Sequence, residues 1–220
     1  MARTDELFAA IQAKDAARVR ALLGSDPSIA TARDDEGVSA LLRARYTLSR
    51  DVVEAVRSHV HELDVFEAAA FGDVDRLAEV FAARPAVAGD RSGDGFTPLH
   101  LAAYFGNDDV VRLLLDHGAD PGAVGTGWMT GTALHSAVSA RHPNVVAALL
   151  DRGADPNARQ AGGWTPLHGA AHNGDLETTE LLLAHGADPA AADDEGRTVE
   201  DHANERGDPG TVAAIRAAIG

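Results

Sequence analysis

The side chains best suited to chemistry here are the ten histidines. Imidazole is a common metal ligand and acid–base group near neutral pH. His100, His135 and His168 each follow a threonine by three residues, so they stand at equivalent points of the sequence. Such points on packed neighbouring helices lie about 8–10 Å apart, whereas a zinc ion needs nitrogens at about 2.0–2.1 Å. The three cannot share one metal. The pairs His59 and His61, His117 and His185, and His142 and His172 have no ligand-like spacing with carboxylates and are expected mostly at the surface. Ser136 follows His135 directly, but adjacent helical residues diverge, and no Gly-x-Ser-x-Gly occurs. The carboxylate pairs Asp34–Asp35, Asp108–Asp109 and Asp193–Asp194 read as helix starts or turn tips. Gly125-Thr126-Gly127 begins a G-x-G that Met129-Thr130 breaks, and there is no phosphate-binding G-x-x-x-x-G-K-[ST]. The absence of cysteine removes thiolate nucleophiles, thiolate ligands and disulfides. The expectation is a protein that is not an enzyme and holds neither metal nor cofactor.

The elements that position these histidines repeat. Thr97-Pro98-Leu99-His100-Leu101-Ala102 returns as Thr165-Pro166-Leu167-His168-Gly169-Ala170, with a looser copy at Thr132-Ala133-Leu134-His135-Ser136-Ala137. Gly-Ala-Asp-Pro starts at Gly118, Gly153 and Gly186, each time 21 residues after the threonine. Thr97 to Thr132 is 35 residues, and Thr132 to Thr165 and Thr165 to Thr198 are 33 each. Two residues are therefore inserted between Gly118 and Thr132, with the stretch from Gly125 to Gly131 the obvious place. A fixed period of this kind marks units that bury their apolar faces against one another.

A 33-residue period carrying T-P-L-H-x-A resembles the ankyrin repeat. The resemblance is close from about Asp90 to Gly220, and a degenerate copy keeps register before it. Ser39 to Val53 matches Thr97 to Val111, Phe66 to Asp73 matches His100 to Asn107, and Phe8 to Ile11 matches His100 to Ala103. Phe8, Leu42 and Phe66 replace the histidine there, and the turn before Leu63 is missing. The last unit has Glu200 for the leucine and Asp201 for the histidine. The resemblance implies an all-α solenoid of about six to seven helix–turn–helix units with β-turn fingers. It also implies that the histidine holds the turn together by hydrogen bonds within its own repeat. One domain over 1–220 is expected, with degenerate repeats over 1–91, three near-consensus repeats over 92–192 and a polar capping repeat over 193–220.

One unit read residue by residue agrees. Thr97 can cap a helix, and Pro98 fits its first position, where a missing donor costs nothing. Leu99, Ala102 and Ala103 are apolar at helical spacing, and Gly106 ends the helix. Asp108 and Asp109 favour the positive end of a second helix. Val110, Val111, Leu113, Leu114 and Leu115 form its apolar stripe, which Gly118 stops.

Nineteen basic against 34 acidic side chains leave a net charge of −15. That charge argues against nucleic acid, which is bound by neutralising phosphates, and against an anionic membrane surface. It would steer in a protein partner bearing a basic patch. No apolar run spans a membrane, and the N-terminus lacks the apolar core of a signal peptide. A monomer in the cytoplasm is expected.

Only 5% of residues are aromatic, yet several fall where this kind of repeat meets partners. Phe96, Trp164 and, in the insertion, Trp128 with Met129 fall in fingers. Tyr46, Tyr104 and Phe105 end inner helices beside the groove, with His172 in the equivalent place. All eight are expected as exposed partner contacts, tryptophan and tyrosine being enriched in interface hot spots. The leading expectation is a scaffold that binds another protein through its groove and finger tips. The alternative is a small-molecule binder or enzyme with a pocket in the degenerate N-terminal repeats, near Arg43, Arg45 and Tyr46.

Overall fold

The computed structural model describes residues 3–127 and 130–220. Among the described residues it holds fourteen α-helices in seven successive pairs. The pairs are α1 (Arg3–Gln12) with α2 (Ala16–Ser25), α3 (Ala40–Tyr46) with α4 (Arg50–Arg57), and α5 (Val65–Phe71) with α6 (Val74–Ala83). Then come α7 (Pro98–Tyr104) with α8 (Asp108–Asp116), and α9 (Ala133–Ser139) with α10 (Pro143–Asp151). Last are α11 (Pro166–Asn173) with α12 (Leu176–Ala184), and α13 (Val199–Arg206) with α14 (Pro209–Ile219). The odd-numbered helices pack in sequence as an inner layer and the even-numbered ones as an outer layer. This is the all-α repeat solenoid that the period implies. The succession is thinnest between the second and third pairs, where α4 and α6 scarcely meet.

A continuous apolar core runs between the layers from Leu7 to Ile215. The inner helices meet through small residues such as Ala69, Ala103, Ala137 and Ala171. Larger ones, among them Val110, Leu114, Leu149 and Leu182, fill the outer layer. Arg45 departs from this pattern, since six residues after its cap it stands where Ala103 and Ala171 stand after theirs. Its side chain turns to the groove side, over the Phe71 and Phe105 rings.

The capping histidine works as the resemblance implies, and further. The Thr97 amide donates to His100 Nδ1 at 3.4 Å, so that nitrogen is an acceptor and the proton sits on Nε2. Nε2 then donates at 3.0 Å to the carbonyl of Gly131, in the next repeat. His135 repeats the bond to the Trp164 carbonyl at 3.3 Å. The brace therefore ties the fourth repeat to the fifth and the fifth to the sixth, as well as closing its own turn. His168 has the same cap, but its Nε2 completes no hydrogen bond.

Where histidine is missing, a carboxylate takes over. In the last repeat Asp201 accepts from the Thr198 amide at 2.8 Å and hydroxyl at 2.7 Å. In the third repeat the role falls to Glu67, not to Phe66 as the sequence match placed it. Glu67 accepts from the Asp64 amide at 3.0 Å and from the Ser39 hydroxyl of the preceding repeat at 2.6 Å. The shift arises because only eight residues separate Asp64 from the left-handed Gly72, against nine from Thr97 to Gly106. Matching from the helix end therefore displaces the helix start by one.

The fingers are tight turns with one hydrogen-bond pattern. The amides of Asp34, Ser92, Gln160 and Asp193 each donate to a carbonyl four residues on. In the fifth repeat the corresponding bond runs from Gly125 to Gly131, a span of six. The two inserted residues lie inside that turn, as expected. Between α4 and α5 no finger forms. As a result the finger of the second repeat rests directly on that of the fourth. A Cβ at Gly93 would overlap the Glu36 carbonyl, so only glycine permits this contact.

Candidate functional site

Across repeats two to four the groove side is closed by the chain's own aromatics. Phe96 is buried, with 3% of its surface exposed, in a small cluster with Val38, Leu42, Ala70 and Leu101. This corrects the expectation that it stands exposed at a finger. With no third finger in the way, Phe96 reaches the residues of the second. Tyr46 and Phe105 are half-buried on the same cluster and stack at 6.2 Å between centroids. The Tyr46 hydroxyl donates to Asp94 Oδ2 at 2.8 Å, bridging repeats two and four. Burial and the Asp94 charge raise the pKa of that hydroxyl well above the usual tyrosine value. The Arg45 guanidinium lies 4.4 Å over the Phe105 ring and 5.2 Å over Phe71, and its Nε donates to the Ala70 carbonyl at 3.2 Å. Burial lowers its pKa. Tyr104 is half-buried and meets Phe105 edge-on at 5.2 Å.

Repeats five to seven differ. Trp164 is half-buried like Tyr46 and Phe105, and its ring meets His172 edge-on at 5.4 Å and His202 at 4.6 Å. His172 is exposed. A recess of about 170 Å³ opens between α9 and α11, lined by Val138, Ser139, Gln160, Trp164, Gly169 and His172 among others. Behind Trp164, His202 Nε2 lies 3.0 Å from Asp193 Oδ2, with both side chains buried. Burial opposes ionisation of Asp193, but His202 and the amides of Arg197 and Glu195 outweigh it and hold its pKa down at about 2. Burial also lowers the pKa of His100 and His168, and that of His135 to about 4, so these three are neutral braces. Trp128 and Met129 lie outside the described residues.

A second concavity, of about 460 Å³, opens at the N-terminal end against Phe8, Gln12, Lys14, Asp34, Arg43 and Tyr46. Arg43 there is paired with Asp34 at 2.6 Å and with Glu36. Among the described residues no group of three or more His, Cys, Asp or Glu side chains is arranged to hold a metal ion. No described helix is long and apolar enough to cross a membrane.

Family models for ankyrin repeats match residues 65–160 as three copies and residues 162–194 as a fourth. The chain belongs to the ankyrin-repeat proteins. Three relatives are informative. Over 100 residues, 46% of this chain and 8% of the relative, it is 33% identical to a Transient receptor potential cation channel subfamily A member 1 homolog of Caenorhabditis elegans. Over 64 residues, 29% of this chain and 14% of the relative, it is 44% identical to the E3 ubiquitin-protein ligase XB3 of Oryza sativa subsp. japonica. Over 69 residues, 31% of this chain and 26% of the relative, it is 36% identical to the DNA-binding protein RFXANK of Homo sapiens. The chain thus spans about a quarter or less of each. Ankyrin repeats are protein–protein interaction modules, and this chain is built of them.

Proposed function

We propose that the chain binds another protein through the groove side of repeats five to seven and does no chemistry of its own. The observation that carries this reading is the open recess beside Trp164 and His172, set against the filled groove of repeats two to four. The relatives support it indirectly. Their names give a channel, a ligase and a DNA-binding protein, so what they share with this chain is the repeat and not an activity. The −15 charge favours a partner with a basic patch over nucleic acid or an anionic membrane. The reading takes the chain as a cytoplasmic monomer, one domain with degenerate repeats over 1–91, near-consensus repeats over 92–192 and a cap over 193–220. Of the eight aromatic and groove positions, Trp164 and His172 are its contacts in the described groove, with Tyr104 at the boundary, and Trp128 and Met129 stay candidates from the sequence. The test is selection of binding peptides from a random display library on the intact chain, followed by amide-shift mapping. Shifts at Ser139, Trp164, His172 and Asn173 are expected. Binders that map elsewhere, or none at all, would overturn the reading.

A second reading rests on the N-terminal cleft, whose volume falls within the usual range for small-molecule sites, about 300–1,000 Å³. The pairing of Arg43 with two carboxylates leaves it little charge to offer a ligand. Melting-temperature shifts against a metabolite library, cancelled by Thr47→Trp, would favour this cleft by mass action on the folded state.

A further inference from the structure

The recess beside Trp164 exists because of what α11 lacks. Four residues after the capping threonine, α7 carries Leu101, α9 Ser136 and α13 His202, whereas α11 carries Gly169. Glycine inside a helix costs about 0.5–1 kcal/mol relative to alanine, so its presence needs a reason. Part of the reason is Val138 on α9, which is larger than the alanines equivalent to it. Its Cγ1 would lie 3.1 Å from a Cβ at position 169. The rest is the space left above the pair. Its volume of about 170 Å³ exceeds the roughly 150 Å³ of a cavity that takes up benzene.

The lining has a definite chemistry. It contains no lysine, arginine, aspartate or glutamate, and His135 is held neutral by burial. The Trp164 indole forms one wall, a surface that attracts cations. Ser139, Gln160 and Asn173 stand at the rim. Asn173 donates through Nδ2 to the Val138 carbonyl at 3.1 Å, which leaves its Oδ1 as an acceptor. Around this neutral, acceptor-bearing recess the chain is acidic, with twelve acidic against five basic side chains between residues 132 and 207. A guanidinium fits these features together, because it is planar, weakly hydrated and carries five donors.

We propose that this recess receives an arginine side chain from a basic segment of the protein partner. The inference rests on the groove reading above and adds the chemistry of its central contact. The negative field steers the segment in, Trp164 takes the guanidinium face, and the rim oxygens of Asn173, Gln160 and Ser139 accept its N–H groups.

The test is titration of the full chain, carrying Trp128→Phe so that indole signals report on Trp164 alone, with short alanine peptides bearing one central residue. The arginine peptide should shift the Trp164 indole N–H and the Gly169 amide, with affinity falling as salt rises. Citrulline and leucine peptides should bind about tenfold more weakly or worse, a gap of about 1.4 kcal/mol. Gly169→Leu should abolish the arginine shifts. If that variant folds poorly, Ser139→Leu on the exposed rim should weaken them, and Trp164→Leu should weaken the shift of the Gly169 amide. A leucine peptide that binds best, or arginine binding untouched by these variants, would overturn the proposal. Library-selected peptides that still map to the groove while the arginine peptide stays free would remove the arginine and leave the groove reading standing.

Discussion

Repeats two to four and repeats five to seven are built on the same paired helices, but their groove sides are finished differently. In the first group Tyr46, Phe96 and Phe105 pack on one another, and Arg45 lies across the rings. In the second group Trp164 and His172 stand beside an open recess. The difference traces to one deletion. Without a third finger, residues two repeats apart come into contact, and aromatics that would otherwise face a partner close the gap. An aromatic in a repeat groove is therefore a contact candidate only once the neighbouring fingers are known to be present.

The largest test of this contrast is truncation on each side. Phe96→Ala should cost about 3–5 kcal/mol, as for other buried phenylalanines, whereas Trp164→Ala should cost only about 1 kcal/mol. Urea denaturation measures both, and equal losses would erase the distinction between filled and open groove. The next test is acid. His135 has a folded pKa of about 4, below the ordinary 6.5, so the unfolded chain binds the proton more readily. Its contribution is complete above pH 6.5, declines as pH falls and is lost by pH 4, a total of about 3 kcal/mol. His100 and His168 shift in the same direction. Denaturation midpoints at neutral pH and near pH 4.5 should show the decline, and His135→Asn should lessen it. Smaller again is Tyr46→Phe, which removes the bridge to Asp94 and should cost about 1–2 kcal/mol. Hydrogen exchange should then rise in repeats two to four and not in repeats five to seven.

The smallest effect concerns the residue nine positions after the cap in repeats two and four to seven, which is left-handed in all five. It is glycine at Gly106, Gly174 and Gly207, but leucine at Leu48 and arginine at Arg141, with φ 55° and 60°. Leu48→Gly should stabilise by about 0.5 kcal/mol, the relief of strain exceeding the added chain entropy. Arg141→Gly should gain less, because Arg141 donates at 2.6 Å to the Asn173 carbonyl. Thermal melts of the two variants compare the strain carried by the two halves.

The architecture was legible because two phrases at a fixed offset are a property of the sequence itself. The insertion between Gly125 and Gly131 and the missing turn before Leu63 could be read for the same reason. What could not be read were the consequences of these irregularities in space. Tyr46 and Phe105 are 59 residues apart, and nothing in either unit alone predicts that they stack. Glu67 is hidden from a match aligned on the glycine, because Gly72 directly follows α5 while Phe105 stands between α7 and Gly106. Gly169 stands inside the repeated phrase, yet its meaning depends on Val138 across the helix contact. The odd small residue in an otherwise regular phrase was a signal available from the start.

The shortened third repeat also bears on how the molecule would come apart under load. A regular solenoid is a chain of nearest-neighbour links and can peel one repeat at a time. The finger contact at Gly93 and the Tyr46–Asp94 bond cross-link repeats two and four over the top of repeat three. Stretched from its ends, the chain should release the C-terminal repeats in single steps. Repeats two to four should then rupture together, as one longer extension, because none of the three can leave while the clasp across them holds.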